Sequence, residues 1–199
     1  ENLDEIIFTT DAKPGDVIFM IIGQENIVNS SLSNLRTHIA KEQNLIDDKE
    51  MKFLWVTDFP LFEKDDNGSW QPAHHVFSSP HEEDYELLNT NPGKVRADLF
   101  DLVCNGVELG SGSIRIHDRK IQEKVFSIIG YDDKQVNERF GTLLESFEYG
   151  APPHGGMAPG IDRIVMLLAN QKNIREVTLF PMNQNAQDLM MQAPSEVDA

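Results

Sequence analysis

Three short stretches carry side chains of the kind that do chemistry. In "NGVELGSGSIRIH", a carboxylate, Glu108, precedes a guanidinium, Arg115, with Gly110 and Gly112 between them. A carboxylate facing a phosphate site needs a divalent cation between the two anions. An arginine can clamp a carboxylate through two parallel hydrogen bonds. The alternative for this pair is a cross-strand salt bridge at the sheet surface. In a regular strand Glu108 shares its face with Gly110, Gly112 and Ile114, so Arg115 falls on the other face. The two can serve one cleft only through a bulge in the strand or from adjacent strands. The glycines are expected to leave open floor beside Glu108.

In "HGGMAPGIDRIVMLL", Gly155, Gly156 and Gly160 allow close approach of a bulky ligand, and a helix opens near Asp162. Its free N–H groups favour an anion, and Asp162 is placed to cap it. Arg163 disfavours that helix end by about a few tenths of a kcal/mol. It therefore suits a bound polyphosphate, an aromatic base to stack on, or an ion pair with one of the 33 acidic residues. In "AHHVFSSP", the adjacent His74 and His75 could bind a metal, act as bases or donate hydrogen bonds, or be plain loop histidines. No Cys-x-x-Cys or His-x-x-x-His partner supports zinc.

The surrounding pattern says what holds these residues. Residues 17–22 form an apolar run after the Pro14-Gly15 turn and are expected to be a buried strand. Val28, Leu32, Leu35 and Ile39 mark one face of a following helix. Residues 1–48 therefore make a strand–helix piece too small for its own core, with "DDKEMK" as connector. Residues 49–199 begin with an expected strand, "FLWVTDFPLF", ended by Pro60, and a turn at Asn67-Gly68. A loop with a short helix comes next, then two or three strands around a tight Asn105-Gly106 turn. Two amphipathic helices end at Gly130 and Gly150. A glycine-rich loop, a helix near 163–169 and a strand at 176–182 complete the chain. Clustered strands followed by helices predict an α+β fold with a mainly antiparallel sheet. No phosphate loop of the G-x-x-x-x-G-K-[ST] kind is present.

The net charge of −16 opposes nonspecific binding to phosphate backbones, leaving room for a local basic site or a basic domain elsewhere. A single cysteine, Cys104, forms no internal disulfide and fits a reducing compartment. No apolar run approaches the ~20 residues of a membrane span. The opening "ENLDEIIF" has no basic segment of the kind that starts a signal peptide.

Together the stretches resemble the catalytic domain of bacterial-type aspartyl-tRNA synthetases, which are class II enzymes. The signatures are "FLWVTDFPLFE", "HHVFSSP", "FDLVCNGVELGSGSIRIH", the Gly-rich "PPHGG" segment after a "FGTLLESFEYG" helix, and "GMAPGIDR". They run from Phe53 to the C-terminus. The first 48 residues resemble the end of the insertion domain that bacterial members carry between motifs 2 and 3. The resemblance implies aspartate activation with ATP and transfer to tRNA-Asp, with tRNA-Asn left open as a second acceptor. It implies an ATP site at Gly160, Ile161, Asp162 and Arg163, with Arg163 on the γ-phosphate and against the adenine. It makes Glu108 the acidic residue at ATP and its Mg2+, and Glu108 and Arg163 the catalytic pair. Arg115 would grip the substrate's side-chain carboxylate, with His74 contacting substrate and His75 beside it. It also implies a cytoplasmic enzyme, dimeric at full length, with no membrane association.

Departures are "GSGS" with Ser111 where the family has "GGGS", "GIDR" for "GLDR", and the tail "FPMNQNAQDLMMQAPS". The chain resembles only the C-terminal third, without the anticodon-binding barrel, motif 1 or the motif 2 Arg-Glu pair. A chain of this extent is expected to be inactive alone in aspartate-dependent ATP–pyrophosphate exchange. The reading from a different class is a synthetase-derived binding or regulatory module without catalysis.

Overall fold

The computed structural model describes residues 3–47 and 49–196. The chain divides into two compact units, Glu1–Glu50 and Met51–Ala199; the boundary expected at residue 48 lies outside the described residues. In the first unit, helix α1 (Leu3–Thr10) precedes a turn at Pro14-Gly15, and helix α2 (Glu25–Glu42) follows. No described residue of this unit is buried. The strand expected over residues 17–22 does not form. A strand needs a hydrogen-bonded neighbour, and the described residues of the unit offer none, so the run stays out of any ladder, with Val17 74% and Ile22 99% exposed. Val17, Ile18 and Phe19 instead face Leu32, Leu35 and Ile39 across a groove of about 480 Å³.

The second unit opens with β1 (Phe53–Val56), β2 (Phe59–Pro60), β3 (Phe62–Lys64) and β4 (Trp70–Pro72). The single strand expected over 53–62 is thus broken. Asp58 sits at φ 59°, in the left-handed region, and turns the chain out of line. Helix α3 (Leu87–Thr90) and β5 (Arg96–Ala97) lead to β6 (Leu99–Cys104) and β7 (Val107–Ile114). Helices α4 (Arg119–Ile128) and α5 (Asp133–Glu148), strand β8 (Gly155–Pro159) and helix α6 (Ile161–Leu168) complete the unit. The main sheet is antiparallel, in the order β1-β6-β7-β8, as the α+β expectation required. Strands β2 and β5, and β3 and β4, form two small ladders beside it.

Local chemistry accounts for these elements. Asn105 (φ 51°) and Gly106 (φ 79°) make the two-residue loop with positive φ at both positions that suits the twist of the β6–β7 hairpin. Asp118 accepts hydrogen bonds from the Lys120 and Ile121 N–H groups at the start of α4, and Asp132 with Gln135 forms a capping box on α5. Leu61, Phe62, Val95, Leu99, Ile116 and Val125 form the core between sheet and helices. Phe126 and Phe140 stack at 4.6 Å in a second cluster with Val136 and Leu144. Burying a side chain such as Phe126 contributes about 1.5–3 kcal/mol.

Two further expectations fail. The glycine-rich "loop" at 155–159 is strand β8, paired with β7 from Gly110↔Pro159 to Ile114↔Gly155. Close packing of the two strands requires glycine at Gly155, where a Cβ would lie 2.7 Å from the Ser113 carbonyl oxygen, and at Gly112 of β7, where it would lie 2.5 Å from both the Gly156 carbonyl oxygen and the Phe100 ring. The strand expected at 176–182 is also absent. Residues Ile174–Glu176 form a 3-10 turn, and Leu179 is 83% exposed with no neighbouring strand.

Arg96 ties β5 to the rest of the unit. It donates to Asp84 from its backbone N and from Nε (2.8 Å) and Nη2. These bonds hold the Asp84 carboxyl at about 2, below the ordinary 3.8. A depressed carboxylate stabilises the fold fully above its unfolded pKa and loses that contribution as pH falls through the folded value. Asp84→Asn should therefore flatten the acid limb of melting temperature against pH between about pH 4 and 2. An unchanged limb would show that the bonds to Arg96 add no stability.

A second prediction concerns the sheet. Gly112→Val should lower stability by about 1–3 kcal/mol or more in urea denaturation, because backbone and a ring must move. Wild-type stability in this variant would contradict the close packing of β7 on β8.

Candidate active site

The faces of β7 decide the site. Across an antiparallel pair, directly opposed residues point to the same side. Leu99, Asp101 and Val103 alternate onto one face of β6, and their partners on β7 are Ser113, Ser111 and Glu108. The register shifts by one between Leu102 and Val103, which makes Leu109 an extra residue in β7. Arg115 lies two residues beyond Ser113 and continues that row, with its N–H bonded to the His154 carbonyl and a bridge to Ser78. Glu108 and Arg115 thus share a face, the bulge having met the condition the sequence set. At ~3.3 Å per residue the row is about 20 Å long.

Gly110 and Gly112 lie on the opposite face. A Cβ on either would meet Met157, Phe100 or the β8 backbone, so they do not provide open floor beside Glu108. The open position is Gly156, opposite Ser113, where an added Cβ meets nothing within 4 Å.

At one end of the row, the Gly160 N–H donates to the Leu109 carbonyl at 2.7 Å, which fixes the start of α6 on the bulge. Arg163 Nη1 donates to Glu108 Oε1 and to the Glu108 carbonyl oxygen, both at 3.0 Å. The ion-pair alternative for Arg163 is therefore the one found, with Glu108 as its partner. Gly160 is the N-cap of α6 and no side chain caps it, so the expected Asp162 cap is not made. Asp162 lies in the first turn, two residues past the cap, and is exposed, as is Ile161.

At the other end, a cleft of about 520 Å³ is lined by His75, Ser113, Arg115, His154, Gly156 and Ala158, among others. Arg115 Nη1 sits 3.2 Å from Nδ1 and 3.0 Å from Nε2 of His75. Among the described residues no carboxylate lies within 4 Å of the half-buried Arg115 guanidinium. Burial, then Arg115 and His74, lower the His75 pKa below 6.5, which favours the neutral ring. His74 does not join this cleft. It is exposed and meets Phe59 edge-on at 4.9 Å.

Asp101 is a residue the sequence reading passed over. Its Oδ1 is shielded from solvent without a hydrogen-bond partner, and it lies on the Glu108 face opposite Ser111. A diagonal neighbour across two strands is about 7–8 Å away, within reach of a shared cation. No group of three or more potential ligands occurs among the described residues. Two carboxylates completed by phosphate oxygens is how Mg2+ is commonly held, so the donor set fits that ion. An acidic residue placed on the same face by the hairpin register was the available signal, and it became readable only with the bulge.

Fold and site together describe an antiparallel α+β sheet with an exposed ion pair at one end of a residue row and a half-buried guanidinium against an imidazole at the other. The sequence profile of the family described as "tRNA synthetases class II (D, K and N)" matches residues 11–184, and the chain belongs to that family. The chain is 52% identical over all 199 residues to the aspartate–tRNA(Asp/Asn) ligase of Dehalococcoides mccartyi, covering 33% of that protein. It is 54% identical over 187 residues, 94% of the chain, to the corresponding ligase of Rubrobacter xylanophilus, covering 31% of it. The aspartate–tRNA ligase of Clostridium botulinum is 50% identical over the whole chain, which covers 34% of that protein. The chain thus spans about a third of the length of these curated relatives. Among solved structures, the aspartyl-tRNA synthetase of Entamoeba histolytica has the same fold over 92% of this chain and 31% of its own, with TM-score 0.51 at 24% identity. The asparaginyl-tRNA synthetase of the same organism, in complex with asparaginyl-adenylate, matches 68% of this chain and 26% of its own, with TM-score 0.51 at 20% identity.

The Glu108–Arg163 pair is 45% and 42% exposed, so its contribution to stability is about 0–1 kcal/mol. Glu108→Gln and Arg163→Lys should each change unfolding free energy by less than about 1 kcal/mol. A loss above about 2 kcal/mol in urea denaturation would make the pair structural and unavailable to a ligand.

Proposed function

We propose that this chain supplies the C-terminal part of the catalytic domain of an aspartate–tRNA ligase, with the first unit as the end of an insertion domain. The observation that carries the reading is Arg115: a half-buried guanidinium in a cleft, with a neutral histidine against it and no carboxylate of the described chain within 4 Å. Such a group calls for an anionic partner from outside, and its planar fork matches a carboxylate. Aspartate, rather than asparagine, supplies that group. The relatives named as aspartate ligases support the choice at 50–54% identity.

The remaining roles follow along the same face. The aspartate side chain lies on Arg115, with His75 steadying the guanidinium. His74 is held against Phe59, clear of the cleft, and its contact with substrate would require that loop to move. The α-carboxylate attacks the α-phosphate of ATP toward the bulge end, where Gly160, Ile161, Asp162 and Arg163 form the nucleotide site; the bond to the bridging oxygen breaks and pyrophosphate leaves. Charge builds on the phosphate oxygens in that step, and Arg163 stabilises it once released from Glu108. Glu108 and Asp101 would hold Mg2+, which supplies charge neutralisation between carboxylates and phosphates. A terminal ribose hydroxyl of tRNA-Asp then takes the acyl group from the aspartyl-adenylate and AMP leaves, with tRNA-Asn as a second acceptor in the Asp/Asn ligases' manner. The full-length enzyme is a cytoplasmic homodimer in this reading.

Arg115→Lys keeps the charge and loses the fork. In the complete encoded polypeptide it should weaken aspartate binding by roughly 30- to 150-fold, about 2–3 kcal/mol, while ATP binding changes little. Calorimetry with each ligand checks this. Unchanged aspartate affinity would remove Arg115 from the substrate and with it the proposed reaction.

A further inference from the structure

We propose that Gln122 is a positioning residue that sets the tautomer and orientation of His75 through the Val76–Phe77 peptide unit. Gln122 lies in α4 and is fully buried, at 0% exposure. Its Nε2 donates to the Val76 carbonyl at 2.8 Å, across 46 residues of sequence. The N–H of the same peptide unit, on Phe77, donates to His75 Nδ1 at 3.2 Å. A peptide unit is planar and rigid, so a bond that fixes its carbonyl also fixes its N–H. The next carbonyl, that of Phe77, is held by the Ile116 N–H at 2.9 Å, which pins the far side.

The chemical consequence falls on His75. With Nδ1 accepting from Phe77, the neutral ring must carry its proton on Nε2. That proton points toward Ser78 Oγ, 3.4 Å away. Arg115 Nη1, nearly equidistant from the two ring nitrogens, lies out of the ring plane and packs on the ring without taking a lone pair from either nitrogen, so the ring's orientation sets where the guanidinium rests. Gln122 therefore acts on the guanidinium through two links and does not reach the cleft itself.

Packing alone gives no reason for an amide at this position. Gln122 Oε1 is buried without a partner, which costs stability that a methionine of similar volume would avoid. The amide cannot be reversed to relieve this, because the Val76 carbonyl can only accept. What the amide supplies and an apolar side chain cannot is the donor to Val76.

The relay stands on geometry; its effect on aspartate rests on the function proposed above, and the test separates the two. Long-range 1H–15N spectra of the labelled chain at neutral pH report each imidazole's tautomer, with His75 assigned by comparison with His75→Gln. In the wild type, His75 should show an unprotonated Nδ1 and a protonated Nε2. In Gln122→Met the two nitrogens should move toward averaged values, with the other histidines unchanged. Should that variant fail to fold, Gln122→Glu keeps the shape, and its carboxyl donates to Val76 only when protonated. His75 in it should then become a tautomer mixture as pH rises through that carboxyl's pKa. A protonated Nδ1 in the wild type, or an unmoved His75 in the folded variants, would overturn the relay. In the complete polypeptide, the variant that shifts the tautomer should weaken aspartate binding roughly threefold to tenfold and leave ATP affinity unchanged. A tautomer shift without any loss of aspartate affinity would leave the relay standing and count against the assignment of the cleft to aspartate.

Discussion

One inserted residue organises the site. Were Leu109 paired as an ordinary residue of β7, the seven steps from Glu108 to Arg115 would put them on opposite faces of the sheet. With Leu109 as the extra residue, Glu108, Ser111, Ser113 and Arg115 form a single row, and Asp101 joins them from β6. The bulge is held on both sides. The Leu109 side chain is buried, at 6% exposure, and its carbonyl accepts the Gly160 N–H. The hydrogen bond that secures the bulge therefore also seats α6, the helix that brings Arg163 to Glu108.

The two ends of this row are built differently. At the bulge end, charges neutralise each other through an exposed ion pair, which a polyanion can exchange at little cost. At the far end, Arg115 rests on a neutral imidazole and no described carboxylate balances it. The imidazole is neutral for the same reason it sits there: burial and the adjoining guanidinium both oppose its protonation. An anion entering the cleft completes a charge pair that the fold has left open. That asymmetry, exchange at one end and an open seat at the other, suits a substrate that is a carboxylate in one part and a phosphate in another.

Much of this was legible in the residues. The Asn105-Gly106 turn, the helix ends at Gly130 and Gly150, and the apolar faces of α4 and α5 follow from local chemistry, and the structure has them. The misreadings share a cause. Residues 17–22 and 176–182 have strand composition but no partner strand, and composition cannot supply a ladder. Residues 155–159 have loop composition but pair with β7, and at Gly155 a Cβ would lie 2.7 Å from the Ser113 carbonyl oxygen. Asp162 has the chemistry of a cap, yet the cap position falls at Gly160, because the chain enters α6 from a strand tied to Leu109. Glu108 and Arg115 were readable as candidates, but their common face depended on a one-residue insertion that alternation cannot locate. Asp101 was hidden by the same fact.

The most direct test is an experimental structure of the complete encoded polypeptide bound to a non-hydrolysable aspartyl-adenylate analogue. The account predicts the side-chain carboxylate on Arg115, the phosphate lying along the Ser113–Ser111 side of the sheet, and the nucleotide toward Glu108 and Arg163. An analogue bound on the Gly110–Gly112 face, or Glu108 and Arg115 projecting from opposite faces of β7, would contradict it.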